Sequence, residues 1–228
     1  MEEKFNEIAN EYDRWFETPV GRVVFSLELK ALVEELGEIN GKKILEVGIG
    51  TGFFAMELRK RGATIFGIDP AAHMREIARS RGFDVQPGYG EAIPFEDNTF
   101  DITLSMTSME NAKDREQFIK EMVRVTKPEG KVVIGVLNLL SFYGISRRIR
   151  GLFDRNDLFR GMHFFTYWEL KAAGTRHLSN VHINSSVFFN PSPPSFILRN
   201  AQKLETFGRK YMRPFGALLI MGGVKQLR

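Results

Sequence analysis

The chain has 228 residues, of which 43% are hydrophobic and 26% are charged. Because domains average roughly 150 residues, this length predicts one domain rather than two full-sized ones, with the composition of an ordinary globular protein. The sequence contains no cysteine, which excludes disulfides, zinc ribbons, iron–sulfur clusters and cysteine nucleophiles. The net charge of +4 is too small to indicate nucleic-acid binding by itself.

The charges are unevenly distributed along the chain. Residues 1–46 carry many glutamates, whereas residues 147–228 are rich in arginine. Such a basic region fits an acidic ligand or lipid headgroups, although a solvated surface is the more common explanation. The first residues lack the basic start and apolar run of a signal peptide, and no stretch reaches the roughly 18 apolar residues that cross a bilayer. We therefore expect a cytoplasmic protein.

Two amphipathic helices are predicted at the start of the chain. Apolar residues recur at spacings of three and four from Phe5 to Leu36, and Thr18-Pro19 interrupts this pattern. A residue before proline is disfavoured in a helix, so we expect one helix to end there and a second to begin.

Strands and helices alternate from residue 43 to residue 138. Runs rich in β-branched and other apolar residues predict strands at 43–47, 64–68, 84–86, 101–106 and 131–138. Helical periodicity predicts helices at 53–61, 71–80 and 113–125. Strands separated by helices of about ten residues indicate a parallel sheet covered on both faces. The loop after the first strand is where such a sheet binds its ligand.

The alternation is interrupted after residue 138. Residues 139–163 predict an inserted amphipathic helix and loop, and residues 166–173 predict the helix that resumes the pattern. A strand at 181–189, a loop at Pro191, Pro193 and Pro194, a helix at 196–211 and a strand at 216–225 follow. The last two predicted strands are not joined by the strict crossover that parallel strands require. This favours an antiparallel hairpin at one edge of the sheet.

The strongest local signal is the turn Glu46-Val-Gly48-Ile-Gly50-Thr-Gly52 between a strand and a helix. Alternate glycines let the backbone approach a ligand closely, and the helix behind them offers free N–H groups. The dinucleotide form G-x-G-x-x-G would need a third glycine where Phe53 stands, and no phosphate-binding G-K-[ST] sequence is present.

Four segments together resemble the class I S-adenosylmethionine-dependent methyltransferases, in their small-molecule, methyltransferase type 11-like branch. The E-x-G-x-G-x-G turn is similar to motif I, and residues 65–74 resemble the family's second strand with its ribose-binding acid. Residues 88–101 resemble the G-D-A-x-x-L-P-F segment and fourth strand, and residues 125–134 resemble the turn into the fifth strand. The segments follow one another at family spacings and cover residues 41–138.

This resemblance implies an α/β, Rossmann-like fold, with a seven-stranded, mostly parallel sheet, helices on both faces and an antiparallel C-terminal edge hairpin. It also implies S-adenosylmethionine as the cofactor and S-adenosylhomocysteine as the product. The residues implied to bind the cofactor are Glu46, Gly48, Gly50, Gly52, Asp69, Pro70, Met74, Gly90, Glu91, Ala92 and Met106. Within this set, Asp69 would accept hydrogen bonds from the ribose hydroxyls. Family members often carry Asp at the position of Tyr89, so the adenine amino group must be bound by Glu91, by backbone near Gly90, or by nothing.

The acceptor is less well defined, because a sulfonium methyl donor requires alignment and exclusion of water more than side-chain chemistry. The segment with Tyr12, Trp15 and Phe16 resembles an N-terminal lid that binds substrate, and packing of these rings on the core is the alternative. Glu110 lies where relatives frequently carry His and is our candidate catalytic residue, either as a base or as an attractor of cations. A solvent-facing acid at a helix start is the alternative for Glu110.

The insertion offers a further candidate. Between residues 142 and 153, apolar residues alternate with arginines, which is typical of a lid helix and equally of an interfacial membrane helix. We favour the lid, with Phe142 as a substrate-binding residue and an acceptor that carries apolar surface. The four histidines show no metal-site spacing, so no metal is expected.

We therefore predict one methyltransferase domain over 1–228, with a helical lid at 1–40, a cofactor-binding core at 41–138, an inserted lid helix at 139–165 and the rest of the sheet at 166–228. It would methylate N or O of a small, partly apolar molecule. The alternatives are a membrane lipid or quinone and, less favoured, RNA or protein. A nicotinamide-dependent oxidoreductase and a non-enzymatic membrane- or RNA-binding module are the rival interpretations.

Overall fold

The computed structural model describes residues 2–154, 157–190 and 192–226, without the side chain of Leu152. Pro191, which we predicted to lie in a loop, is outside the described residues. The strands are β1 (Lys43–Val47), β2 (Thr64–Asp69), β3 (Asp84–Pro87), β4 (Phe100–Met106), β5 (Thr126–Leu137), β6 (Leu178–Ser186) and β7 (Leu218–Lys225). The helices are α1 (Glu2–Tyr12), α2 (Arg14–Glu17), α3 (Pro19–Leu36), α4 (Phe53–Arg59), α5 (Ala72–Ser80), α6 (Arg115–Val125), α7 (Phe142–Phe153), α8 (Tyr167–Thr175), α9 (Ser195–Arg199) and α10 (Ala201–Tyr211).

The strands form one seven-stranded sheet in the order β3-β2-β1-β4-β5-β7-β6. Strands β1 to β5 are parallel to one another, and β7 is antiparallel to both β5 and β6. The predicted fold class, including its antiparallel C-terminal edge, is therefore confirmed. Strands β6 and β7 are joined by residues 187–217, which contain α9 and α10, rather than by a tight turn.

Several element boundaries differ from the sequence predictions for local reasons. Strand β5 begins at Thr126 instead of residue 131, because Thr126 pairs with Phe100 before an irregularity in the ladder. The helix predicted at 196–211 is two helices, since the Asn200 carboxamide donates to Phe196 O (2.8 Å) and its backbone leaves the helical region. Asp13 separates α1 from α2, although its own backbone stays in the helical region (φ −74°, ψ −21°).

The sheet is covered on both faces, which explains why its central strands are almost continuously apolar. In β5, Val132, Ile134 and Val136 pack in a cluster with α6 and α8, whereas Val133 packs in the cluster with α3, α4 and α5. This alternation is the two-residue period of a strand. Packing on both faces holds the carboxyl ends of β1, β2 and β4 at one edge.

The first helices fold back over that edge. Ala9 of α1 packs with Ala71 and Met74 at the start of α5, while α3 packs against the sheet. The N-cap of α3 is Thr18, whose hydroxyl accepts from Gly21 N (3.0 Å), with proline at the first helical position. None of the helices in the described ranges has the length and apolar character that a bilayer span requires.

Candidate active site

The glycine turn follows β1 at the carboxyl edge of the sheet. Gly48 N and Ile49 N both donate to Ile68 O, at 2.8 and 3.1 Å, which ties the turn to β2. Gly48, Gly50 and Gly52 have φ values of 76°, 56° and 81°, in the region that glycine adopts without strain. A Cβ on Gly48 would lie 2.1 Å from Ser108 Oγ, whereas a Cβ on Gly50 would have no heavy atom within 4 Å. The turn is thus packed below Gly48 and open at Gly50.

Asp69 ends β2 beside this turn, with its carboxylate buried. Its Oδ2 accepts from Gly50 N (2.9 Å) and its Oδ1 from Ala71 N (2.8 Å). Burial raises the pKa of this carboxyl, while the two amides and Arg75 oppose the rise. Each carboxylate oxygen can accept a second hydrogen bond, so Asp69 retains capacity for a diol.

Glu46 lies on β1 and is only 2% exposed. Its Oε2 has no hydrogen-bond partner among the residues that the structure describes. Burial, and then the charge of Asp69, raise the pKa of Glu46 to about 8. Two buried acids with one oxygen unsatisfied form a site that a positively charged ligand would stabilise.

These features fit S-adenosylmethionine. Its sulfonium and amino groups are cationic and match the Glu46 carboxyl, and its ribose is the diol that Asp69 can bind. Because the backbone at Gly50 is open, the ligand can approach it closely at a point between the two acids.

The segment predicted to bind adenine is held by contacts from three directions. A Cβ on Gly90 would lie 2.0 Å from the Phe118 ring, so this loop packs on α6 only with glycine there. Glu91 Oε1 accepts from Lys113 N (2.8 Å), and the exposed Tyr89 donates to Glu2 Oε2 (2.8 Å). Met74 is buried against α1, and Ala92 is exposed.

The remaining cofactor candidates lie near the same edge. Pro70 O accepts from Arg75 Nη1 (2.6 Å), which fixes the backbone after Asp69. Met106 ends β4, but its side chain is buried in the core, close to Gly135. The structure therefore brings Glu46, the turn and Asp69 together, and directs the Met106 side chain into the packed interior.

The predicted substrate residues divide into two groups. Phe16 is buried and stacks on Phe53, the first residue of α4, with ring centroids 4.2 Å apart. Tyr12 is partly buried, and burial together with nearby acids holds its pKa above the usual range. Trp15 and Phe142 are exposed by 45% and 65%. Tyr12 and Phe16 thus line the interior, and the other two lie on the surface.

An ion-pair latch that sequence analysis missed holds the N-terminal segment on the turn. Asp13 Oδ1 accepts from Thr51 Oγ1 (2.7 Å), and Asp13 Oδ2 pairs with Arg81. Arg81 Nη1 also donates to Thr51 O (2.8 Å). Asp13, Thr51 and Arg81 are far apart in the chain, so no local sequence pattern predicts these contacts.

Glu110 is buried in the 3₁₀ turn after β4, with 1% of its surface exposed. It is therefore not the solvent-facing acid that was the alternative. Its Oε1 accepts from Leu137 N (2.6 Å), while Oε2 has no partner among the described residues. Burial raises the pKa of Glu110 to about 7. Within the described ranges, no cluster of three or more potential metal ligands occurs.

Comparison with known proteins gives the same family as the motifs. A family model described as a methyltransferase domain matches residues 45–134. An uncharacterized protein of Methanocaldococcus jannaschii is 36% identical over 140 residues, covering 61% of this chain and 64% of that protein. A demethylmenaquinone methyltransferase of Corynebacterium kroppenstedtii is 31% identical over 130 residues, covering 57% of this chain and 56% of that protein. The chain thus spans less than two thirds of the length of these relatives.

Solved structures agree over nearly the whole chain. An S-adenosylmethionine-dependent methyltransferase of Thermotoga maritima, described as a possible histamine N-methyltransferase, superposes with a TM-score of 0.80 at 28% identity, covering 99% of this chain and 100% of that one. A phosphoethanolamine N-methyltransferase of Haemonchus contortus, solved with S-adenosylmethionine, shares the fold at a TM-score of 0.65 and 16% identity, covering 98% of this chain and 60% of that one. These matches support a class I S-adenosylmethionine-dependent methyltransferase of the type 11 kind, and residues 45–134 carry the match to a methyltransferase domain. The same matches favour a methyltransferase over the rival interpretation as a nicotinamide-dependent oxidoreductase.

The titration of Glu46 generates a stability prediction. Its folded pKa of about 8 lies above the ordinary 4.5, so the native state loses stability as pH rises from the lower to the higher value. Glu46→Gln should therefore raise the free energy of unfolding by about 2 kcal/mol or more near pH 9 and change it little near pH 4. Urea unfolding across this range measures the difference. Glu76→Gln, at an exposed acid on α5, is the control, and a difference that does not vary with pH would contradict the prediction.

Proposed function

We propose that this chain transfers the methyl group of S-adenosylmethionine to N or O of a small, partly apolar acceptor. The observation that carries the proposal is the pair of buried acids, Glu46 and Asp69, at the open glycine turn. Glu46 Oε2, which none of the described residues satisfies, lies beside a second acid, and this favours a ligand that is both cationic and rich in hydroxyl donors. The family match supports the same cofactor.

The proposed cofactor contacts follow from this arrangement. Glu46, Gly48, Gly50 and Gly52 would contact the methionyl part of the cofactor. Asp69 and Pro70 would contact the ribose, and Met74, Gly90, Glu91 and Ala92 the adenine. The backbone of Met106 would lie near the sulfonium. When bound, S-adenosylmethionine supplies an activated methyl group. The protein's own task is then to align the acceptor and exclude water.

We assign the acceptor to the space under the N-terminal segment. Tyr12 and Phe16 would contact it from inside, and Trp15 and Phe142 would flank its entrance. The latch of Asp13, Thr51 and Arg81 supports a lid over residues 1–40, because it fixes this segment on the turn. We retain one domain over 1–228, with the core at 41–138, the inserted lid helix at 139–165 and the rest of the sheet at 166–228.

Asp69→Ala tests the cofactor assignment. Loss of the ribose hydrogen bonds should weaken S-adenosylhomocysteine binding by about 2 kcal/mol, or about 30-fold, in isothermal titration calorimetry. Asp84→Ala, at an exposed residue of β3, removes the same charge and should leave the affinity unchanged. Equal affinity of wild type and Asp69→Ala would remove Asp69 from the site.

We propose Glu110 as the general base that takes the proton of the acceptor. An ionisable group with a pKa of about 7 is well matched to proton transfer near neutral pH. As Glu110 ionises, kcat should increase as pH rises through about 7. Glu110→Gln should lower kcat by about 100-fold and remove this dependence of kcat on pH. Transfer of labelled methyl groups to an acceptor found by screening amines and hydroquinones measures it. Glu96→Gln, at an exposed acid, should behave as wild type, and an unaltered profile in Glu110→Gln would exclude the role.

A second candidate acceptor is a membrane lipid or quinone. Helix α7 exposes an apolar stripe at spacings of three and four, with Phe142, Ile145, Ile149 and Phe153 exposed by 65%, 48%, 54% and 85%. Arg148 and Arg150 on the same helix are also exposed. An apolar stripe beside cationic side chains fits an anionic bilayer surface. Several relatives carry the name demethylmenaquinone methyltransferase, which favours the same candidate.

Vesicle sedimentation tests this membrane contact. The chain should bind vesicles that contain phosphatidylglycerol more strongly than pure phosphatidylcholine vesicles. The double variant Ile149→Ser, Phe153→Ser should lose about tenfold or more of this affinity, because two large apolar side chains no longer enter the interface. Phe207→Ser, at an exposed position of α10, should bind as wild type. If the double variant binds phosphatidylglycerol vesicles as strongly as Phe207→Ser does, α7 is excluded as the membrane contact.

A further inference from the structure

Helix α3 carries an acid on its buried face that no step above uses. Val24, Leu27, Ala31 and Leu32 are buried along this face, and Glu28 lies among them, one helical turn after Val24. Glu28 is partly buried, and among the described residues it has neither a hydrogen-bond donor nor an ion-pair partner. A carboxylate in apolar surroundings is unfavourable unless something pairs with it.

Three other helices pack next to this part of α3. Tyr143 of α7 and Ala201 of α10 lie in the apolar cluster that contains Val24 and Leu27. Tyr12 of α1 contacts Phe16, whose ring contacts Phe25 of α3.

The charge of Glu28 raises the pKa of Tyr12 on α1 and of Tyr143 on α7, and Glu205 on α10 raises that of Glu28. Glu205 is itself engaged, since its oxygens accept from Ser186 Oγ (2.7 Å) and Val187 N (2.9 Å). The surroundings of Glu28 are therefore two phenols and a second acid.

The nearby cations of the described chain are directed elsewhere. Arg147 pairs with Asp157 (3.3 Å) and lies over the rings of Tyr143 and Phe159. Arg209 pairs with Glu34. Neither affects the pKa of Glu28, which is raised by burial and by the charge of Glu205. No cation among the described residues therefore stabilises the ionised form of Glu28, and a cationic ligand would do so.

Glu28 also lies on the acceptor side of the proposed cofactor site. Tyr12 of the N-terminal segment contacts the ring of Phe16 at a centroid distance of 5.8 Å. Phe25, one turn before Glu28, contacts Phe16 and Phe53 at centroid distances of 5.5 and 4.7 Å. The same turn of α3 therefore faces the lid and the start of α4, where the glycine turn ends.

We propose that Glu28 binds a cationic amine group of the acceptor, with the rings of Tyr12 and Tyr143 beside it, and so determines acceptor specificity. The proposal rests on the methyl transfer inferred above and names the class of its substrate. A carboxylate–ammonium pair satisfies the uncompensated charge, and aromatic faces add to the attraction for a cation. An alcohol of the same shape brings no charge and binds more weakly. Binding involves no covalent step at Glu28.

The titration of Glu28 gives this binding a pH dependence. Burial and Glu205 raise the pKa of Glu28 to about 8. The protonated acid cannot pair with an ammonium ion, so amine affinity should increase as pH rises from about 6 to about 8. The groups facing Glu28 are Tyr12, Tyr143 and Glu205, and the two phenols have pKa values raised further above this range.

Calorimetry on the protein saturated with S-adenosylhomocysteine tests the proposal with two matched probe pairs. Benzylamine is compared with benzyl alcohol, and 2-phenylethylamine with 2-phenylethanol. The amine of at least one pair should bind about tenfold or more tightly than its alcohol near pH 8. Glu28→Gln should lose this preference while retaining alcohol and S-adenosylhomocysteine affinity. Glu17→Gln, at an exposed acid of α2, should retain it.

The outcomes separate this inference from the proposed function. If wild type does not bind S-adenosylhomocysteine, the methyltransferase function itself fails. If it binds that compound but prefers neither amine, or if Glu28→Gln keeps the preference, only the role of Glu28 is overturned. Should Glu28→Gln fold poorly, wild type alone decides, because amine affinity that stays constant from about pH 6 to about pH 8 is incompatible with an ionising Glu28.

Discussion

The pairing of β1 with β2 is the constraint on which the site depends. Their parallel register sets Glu46 opposite Gly67 and Val47 opposite Ile68, so the acid of one strand and Asp69 at the end of the next are brought to the same edge. Backbone amides at positions 50 and 71 stabilise Asp69, but one oxygen of Glu46 has no hydrogen-bond partner in the described parts of the chain. The domain thus maintains two buried acids, and the ionised form of Glu46 becomes favourable when a cation is present.

The segments that cover this edge are attached to it by specific polar contacts as well as by apolar packing. Asp13 joins the N-terminal helices to Thr51 in the turn and to Arg81 after α5. On the opposite side, Glu110 joins the loop after β4 to the end of β5 through Leu137 N. Segments that precede β1 and follow β4 are therefore both held at this edge, which suits a reaction that requires an aligned acceptor and a site closed to water.

Local sequence patterns were sufficient wherever the structure depends on neighbouring residues. The glycine turn, Asp69 at a strand end and the alternation of strands with helices are all visible within windows of about ten residues. Contacts between residues far apart in the sequence could not be predicted in this way, since Asp13 and Arg81 are 68 positions apart. For Glu28, the sequence shows only an acid within the apolar repeat of α3. The early start of β5 at Thr126 also depended on a distant partner, Phe100.

The position of β7 between β5 and β6 has a consequence for how the polypeptide reaches its native state. Strand β6 pairs with β7 alone, although β7 follows it by more than thirty positions and comes after α9 and α10. During synthesis, β6 therefore leaves the ribosome before its hydrogen-bonding neighbour, and it cannot pair with the sheet until β7 has been synthesised. Completion of this half of the sheet is a late, non-local event, of the kind that slows folding and leaves a strand open to association with other chains in the interval.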